Sequence, residues 1–271
     1  MKLAIETHGA GQPLVLIHGM GSAATAWQPI IPTLAKQFSV VTIDLPGHGR
    51  TPYSPIQKMD PTSLAQLVVK NLKNIGVESF HLVGNSLGGW VALEIAALNQ
   101  TAVKSVTALA PAGLWLTPFS SRYPGELALR VMASGVEKLA PSLLNYTWAK
   151  KIGFETVSPR WKELSYEICL DATSAMAQST GYFPAWDALL VKDLISKLIH
   201  KFQSPLFLAT VTTLCLQKHV RSDHLPQPMR SGLFCRKLGT HLCGIVQMKL
   251  FLRFYKPLVS HNDYSCVFLA N

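Results

Sequence analysis

Phe80-His81-Leu82-Val83-Gly84-Asn85-Ser86-Leu87-Gly88-Gly89-Trp90 joins an apolar, strand-like run to the helix-like stretch Trp90-Val91-Ala92-Leu93-Glu94-Ile95-Ala96-Ala97-Leu98 through a Gly-x-Ser-x-Gly turn. A sharp strand-to-helix turn forces its central residue into a strained backbone conformation, and Gly84 and Gly88 leave room for the flanking chain to pack closely. Such a turn presents the Ser86 hydroxyl at the head of a helix, where backbone N–H groups favour developing negative charge. A Gly/Ser turn that merely caps a helix fits the same residues, so the segments around it decide between the two readings.

Two further segments carry the decision. Leu14-Val15-Leu16-Ile17-His18-Gly19-Met20-Gly21-Ser22 is a buried-strand run ending in His-Gly, and Val40-Val41-Thr42-Ile43-Asp44-Leu45-Pro46-Gly47-His48-Gly49-Arg50 is another ending in Asp-x-Pro-Gly-His-Gly. In this order and spacing the three segments resemble the α/β-hydrolase superfamily, over about residues 1–209.

Strand-like runs recur at 2–6, 13–17, 39–43, 79–84, 105–110 and 205–209, separated by helix-like stretches at about 24–36, 62–75 and 87–98. This alternation predicts an α/β fold with a mostly parallel, doubly wound sheet. His18-Gly19, Asp44 and Ser86 all fall at carboxyl ends of strands, where an open parallel sheet places its site. Between the strands at 105–110 and 205–209, residues 112–200 read as several helices and hold 11 of the 24 aromatic residues. The resemblance implies a helical lid there. The expected organisation is a first core part over 1–111, a lid over 112–200, a core strand over 201–209 and an atypical tail over 210–271, so that the sheet lacks its normal last strand and helix.

The resemblance implies acyl transfer. Ser86 attacks a carbonyl, a histidine takes its proton and an acid orients that histidine. The oxyanion is held by the backbone N–H groups of Leu87 and Met20. His18 and His48 invite assignment as the general base, yet both sit in turns that the family uses for shaping the oxyanion loop and the strand end. Asp44 stands where a triad acid could by position alone, but more often in this family it supports the loop carrying the oxyanion donor. A serine nucleophile sets the chain apart from relatives on this fold that attack with aspartate. Ester, thioester, lactone and carbon–carbon hydrolysis all remain open, as does a non-catalytic relative that binds a small ligand or partner. No cofactor and no metal are implied, and the expected substrate is a small apolar ester-like molecule.

The family pattern also demands an acid after the strand that follows the lid and a Gly-His-x-Pro type loop near the carboxyl end. Neither stands in place. After Ser204-Pro205-Leu206-Phe207-Leu208-Ala209 the chain reads Thr210-Val211-Thr212-Thr213-Leu214-Cys215. Of His219, His224, His241 and His261, none follows a glycine, and the acids there are Asp223 and Asp263. The triad acid and histidine are therefore left open, as is the oligomeric state.

Composition marks the same quarter as foreign to the rest. Of the net charge of +10, residues 210–271 carry +6, together with four of the five cysteines and no glutamate. The charge is thus concentrated where no nucleic-acid motif lies, and no nucleic-acid or membrane partner is expected. The cysteine spacing matches no zinc or redox site. The start Met1-Lys2-Leu3-Ala4-Ile5-Glu6 shows no secretory signal, and the apolar runs fall short of the roughly 20 residues a membrane span needs, so a soluble, cytoplasmic protein is expected.

A shifted reading frame, entered between about Ile195 and Leu208, would account for this tail. Taking the third base of each codon with the first two of the next, the degenerate codons from Leu208 onward permit Gly-Asp-Ser-Asp-Asn-Ala-Leu-Pro. That run resembles the missing acid loop, with the second aspartate codon straddling Val211 and Thr212. From Met229 to Lys249 the same frame permits a run containing Glu-Ala-Gly-His-Ala-Pro, which resembles the missing histidine loop. Its histidine codon straddles Gly239 and Thr240.

Overall fold

A computed structural model of the chain describes residues 1–99, 101–112, 124–155, 158, 160–190 and 211–214. Strands β1 (Ala4–His8), β2 (Gln12–Ile17), β3 (Phe38–Asp44), β4 (Phe80–Asn85), β5 (Val103–Leu109) and β6 (Val211–Leu214) form one sheet in the order β1-β3-β2-β4-β5-β6. β1 runs antiparallel to β3, and every other pairing is parallel. The strand read at 205–209 lies outside the described residues, as does the boundary at 209/210.

The central strands are buried on both faces, which explains their near-continuous apolar runs. Because side chains alternate across a strand, Val15, Ile17, Val41, Ile43 and Leu82 enter one core cluster, whereas Leu14, Leu16, Val40 and Val83 enter a second. The first is covered by α2 (Pro61–Asn74) and α3 (Leu87–Leu98), through Leu64, Val68, Leu72, Trp90 and Val91. The second is covered by Trp27, Ile30, Ile31 and Leu34. The sheet is thus doubly wound, as the alternation predicted. Asp60 caps α2 by accepting the Ser63 N–H at 3.3 Å, ahead of Pro61 at the first helical position.

The helix expected over 24–36 is not continuous. It is a 3-10 turn over Ala24–Trp27 followed by the short α1 (Ile31–Leu34). Pro29 and Pro32 give the reason, since each lacks the N–H that a continuous helix needs there and Pro32 is accommodated by starting α1 anew.

Between β5 and β6 the chain forms α4 (Pro124–Val136), α5 (Ala140–Leu143), α6 (Thr147–Phe154), α7 (Tyr166–Gln178) and α8 (Tyr182–Leu190). These helices are not held by one core. Phe154, Trp161, Leu164 and Cys169 make a small cluster of their own, while Ala185 and Leu189 of α8 join the main core. The aromatic residues divide accordingly: Trp161, Tyr182 and Trp186 are buried, and Tyr146 and Trp148 stack on one another in solvent. Among the described residues no helix is long and apolar enough to cross a membrane.

Candidate active site

Ser86 stands between the end of β4 and the first residue of α3 with φ 51° and ψ −113°, a conformation that L residues rarely adopt. Three backbone hydrogen bonds hold it there. Its N–H donates to Leu109 O at 2.9 Å, and its carbonyl accepts from Trp90 N at 3.1 Å and Ala112 N at 3.0 Å. The two glycines of the motif are sterically required: a β-carbon on Gly84 would lie 2.1 Å from Gly88 O, and one on Gly88 would lie 2.3 Å from Ile17 O and 2.4 Å from His18 O. Gly88 is therefore what lets the head of α3 touch the end of β2. Leu87 is buried at the start of α3, so its N–H is one of the four that a helix leaves without an internal acceptor.

The end of β2 brings a second backbone segment alongside. A β-carbon on Gly19 would lie 3.3 Å from Ser86 Cβ, so the first residue of the turn Gly19–Ser22 stands directly beside the serine. Ser22 N donates to Gly19 O at 3.2 Å, and Gly21 takes φ +70°, as the third residue of a type II turn must. The Met20 and Gly21 N–H groups have no hydrogen-bond acceptor among the described residues.

His18 and His48 hold loops in place. In His18, Nδ1 lies 2.7 Å from Gly19 O and Nε2 accepts from Leu45 N at 3.0 Å, which fixes the neutral tautomer with its proton on Nδ1. Burial pushes its pKa down, against the Gly19 carbonyl and the Asp44 charge. In His48, Nδ1 lies 2.9 Å from Pro46 O, and burial, reinforced by nearby His18, pushes the pKa down to about 3. Both imidazoles are neutral at neutral pH, and neither hydrogen-bonds to Ser86.

Asp44 is buried with its oxygens taken by loop donors: Ala24 N at 2.7 Å, Arg50 N at 3.1 Å and Arg50 Nε at 3.4 Å. It supports the loop after β2 rather than orienting a histidine. Of the other described histidines, His8 lies on β1 beside Glu6, and His81 contacts Ser105 Oγ at 2.7 Å and Gln12 Oε1 at 3.0 Å from the start of β4, the end of the strand away from Ser86. Among the described residues, none hydrogen-bonds to the Ser86 hydroxyl. His219, His224, His241, His261, Asp223 and Asp263 lie outside the described residues.

The helical insertion contributes residues that the sequence did not single out. Gly181, between α7 and α8, donates its N–H to Gly47 O at 3.0 Å, and a β-carbon on either glycine would strike the other loop's backbone. Thr25 Oγ1 donates to Asp171 Oδ2 of α7 at 2.9 Å. The thioether of Met176 and the ring of Tyr182 occupy the space that a side chain at Gly21 would need, at 2.5 Å and 3.2 Å from its β-carbon position. The trace that the seam between these two loops leaves in the sequence is a glycine on each side, Gly47 and Gly181. Among the described residues no group of histidine, cysteine and carboxylate side chains is arranged to hold a metal ion.

The sequence matches the family described as "Alpha/beta hydrolase family" over residues 14–231. The chain belongs to that family. Among its relatives, a pimeloyl-[acyl-carrier protein] methyl ester esterase of Aeromonas hydrophila is 33% identical over 140 residues, covering 52% of each chain. One of Legionella pneumophila (strain Lens) is 41% identical over 96 residues, 35% of this chain and 36% of the relative. This alpha/beta hydrolase thus spans about half or less of the length of those curated relatives. The enol-lactonase of Burkholderia xenovorans LB400 has the same fold, with a TM-score of 0.68 at 16% identity over 96% of both chains.

Proposed function

We propose that the chain is the scaffold of a serine hydrolase acting on carboxylic-ester-type bonds, with Ser86 as nucleophile and the N–H groups of Met20 and Leu87 as oxyanion donors. One observation carries the reading: Ser86 is held at positive φ at the head of α3, beside a turn whose Met20 N–H has no acceptor among the described residues. Strain of this kind costs roughly 1–3 kcal/mol and gathers at functional sites. Attack by Ser86 Oγ on a carbonyl carbon places the new negative charge near both amides, while the proton goes to a histidine base. The helices α4–α8 serve as a lid over a small apolar substrate, in a soluble, cytoplasmic protein that needs no cofactor. The esterase names of the relatives support this class and leave the bond open among ester, thioester, lactone and carbon–carbon.

The histidine and acid belong to the carboxyl-terminal quarter, which is out of frame in this polypeptide, so the chain is impaired. The composition of 210–271 and the two reconstructed loops support a shift between about Ile195 and Leu208. Two observations weigh on the other side: the family match runs on to residue 231, and Val211–Leu214 pairs with β5. The gene sequence separates these. A second reading, a non-catalytic binding protein with Ser86 as a relic, is favoured by the lack of a described hydrogen-bond partner for the hydroxyl.

Turnover of short and long p-nitrophenyl esters by the chain and its Ser86→Ala variant tests the assignment. In the present chain, without its base, the expected result is slow turnover, on the order of 10³–10⁴-fold over water from the oxyanion hole and binding alone, little changed in the variant. With the reading frame restored, turnover is expected to rise and to be lost in Ser86→Ala, and equal rates in those two proteins would reject Ser86.

A further inference from the structure

The turn that carries Met20 is anchored from below only at its ends. His18 Nδ1 donates to Gly19 O at 2.7 Å on one side, and Ala24 N donates to Asp44 Oδ1 at 2.7 Å on the other. Between these anchors the Met20 and Gly21 amides make no hydrogen bond among the described residues, and the turn is closed by the single bond from Ser22 N to Gly19 O. What covers this stretch comes from the helical insertion. Met176 of α7 places both Sδ and Cε in the space above Gly21, within 2.5 and 2.8 Å of a β-carbon position that the glycine leaves empty, and Tyr182 of α8 fills the flank. Three residues beyond Ser22, Thr25 is tied to Asp171 on the same α7. The loop is thus held between the sheet and the helices α7 and α8 of the insertion.

We propose that Met176 is a positioning residue for the proposed oxyanion donor: its thioether, seated on Gly21, holds the Gly19–Ser22 turn so that the Met20 N–H stays aimed past Gly19 at the Ser86 side. The proposal rests on the serine-hydrolase reading of the site. An unbranched side chain with a polarizable sulfur suits a glycine backbone surface that offers no side chain to interlock with. A donor without an acceptor in the resting protein gains nothing from its own bonding, so its aim depends on the packing around it. An oxyanion donor counts only at the right distance, because removing one costs about 10²–10³ in rate, and a turn released on one side forfeits part of that. Docking of α7 and the proposed oxyanion hole are therefore linked through one side chain.

Two measurements on the full chain test this, with Met176→Ala and Met176→Leu. Hydrogen exchange at the Ser22 amide reads the turn directly and needs no catalysis. The rate at which a fluorophosphonate modifies Ser86 reads the hole. Met176→Ala is expected to speed Ser22 exchange by about tenfold and to slow Ser86 modification by about tenfold, and Met176→Leu, which refills the space, is expected to restore both. Unchanged Ser22 exchange in Met176→Ala overturns the clamp. Faster exchange with unchanged Ser86 modification also overturns it, because the turn then moves without consequence for the hole. Faster exchange in a protein whose Ser86 is never modified, even without the substitution and with the reading frame restored between Ile195 and Leu208, upholds the clamp on the turn and instead rejects the serine-hydrolase reading.

Discussion

Ser86, Gly84 and Gly88 show how a few positions commit a backbone. The strained φ of 51° persists because Leu109, Trp90 and Ala112 each hydrogen-bond the Ser86 main chain, and because Gly88 admits the Ile17 and His18 carbonyls where a side chain would sit. Gly88→Ala places a methyl 2.3 Å from Ile17 O, which is main chain and cannot swing away. The expected loss exceeds about 4 kcal/mol, measured as a shift of the urea midpoint or as failure to fold. Gly153→Ala is the contrast: nothing lies within 4 Å of its β-carbon position in α6, and it is expected to gain about 1 kcal/mol in the same assay. His48 adds a pH dependence. Its pKa of about 3 in the fold lies below the ordinary 6.5, so between these values the unfolded chain holds a proton that the folded chain does not. Stability therefore falls as pH drops from about 6.5 towards 3, at up to about 1.4 kcal/mol per pH unit from this group. Urea titrations of the chain and of His48→Asn are expected to show a shallower acid slope in the variant. The serine elbow was legible because its chemistry and its glycines are contiguous. The tasks of His18, His48 and Asp44 depend on donors and acceptors from Gly19, Ala24, Leu45, Pro46 and Arg50, which only folding brings to them.

At the scale of elements, β2, β3 and β4 stand where their apolar runs placed them, because a strand buried on both faces has one composition to offer. The stretch 24–36 misled for the opposite reason, since its apolar spacing suits one helix while Pro29 and Pro32 forbid it. Docking of α7 and α8 left the faintest trace. The seam at Gly47 and Gly181 is main chain against main chain, so what the sequence retains is two glycines far apart. Gly181→Ala puts a methyl 2.3 Å from Pro46 O and is expected to lift the α7–α8 turn off the β3 loop. Limited proteolysis should then cleave within 166–190 several-fold faster, while the Gly84 to Leu98 segment stays protected. Unchanged cleavage would mean that the seam is not what holds these helices.

The whole molecule joins a core with every requirement of the elbow to a tail with a different composition. Residues 210–271 carry +6 of the +10 net charge and no glutamate, a change that the proposed frame shift would explain. Under the proposed frame shift the normal last strand and helix are lost, which leaves an open edge and uncovered apolar surface and favours association between copies. The polypeptide is expected to aggregate on mild heating, and a cooperative transition of a soluble monomer well above ordinary temperature would count against this. Among the described residues no histidine is placed to serve Ser86 as a base, since His18, His48 and His81 are bound to other partners and His8 lies on β1 beside Glu6; His200 lies outside the described residues. The most direct measurement is fluorophosphonate labelling with mapping of the modified residue, on this chain and on one with the reading frame restored between Ile195 and Leu208. The account predicts rapid modification at Ser86 in the restored chain, its loss in Ser86→Ala, and weak modification in the present chain. A restored chain that stays unmodified at Ser86, or is modified elsewhere, would contradict it.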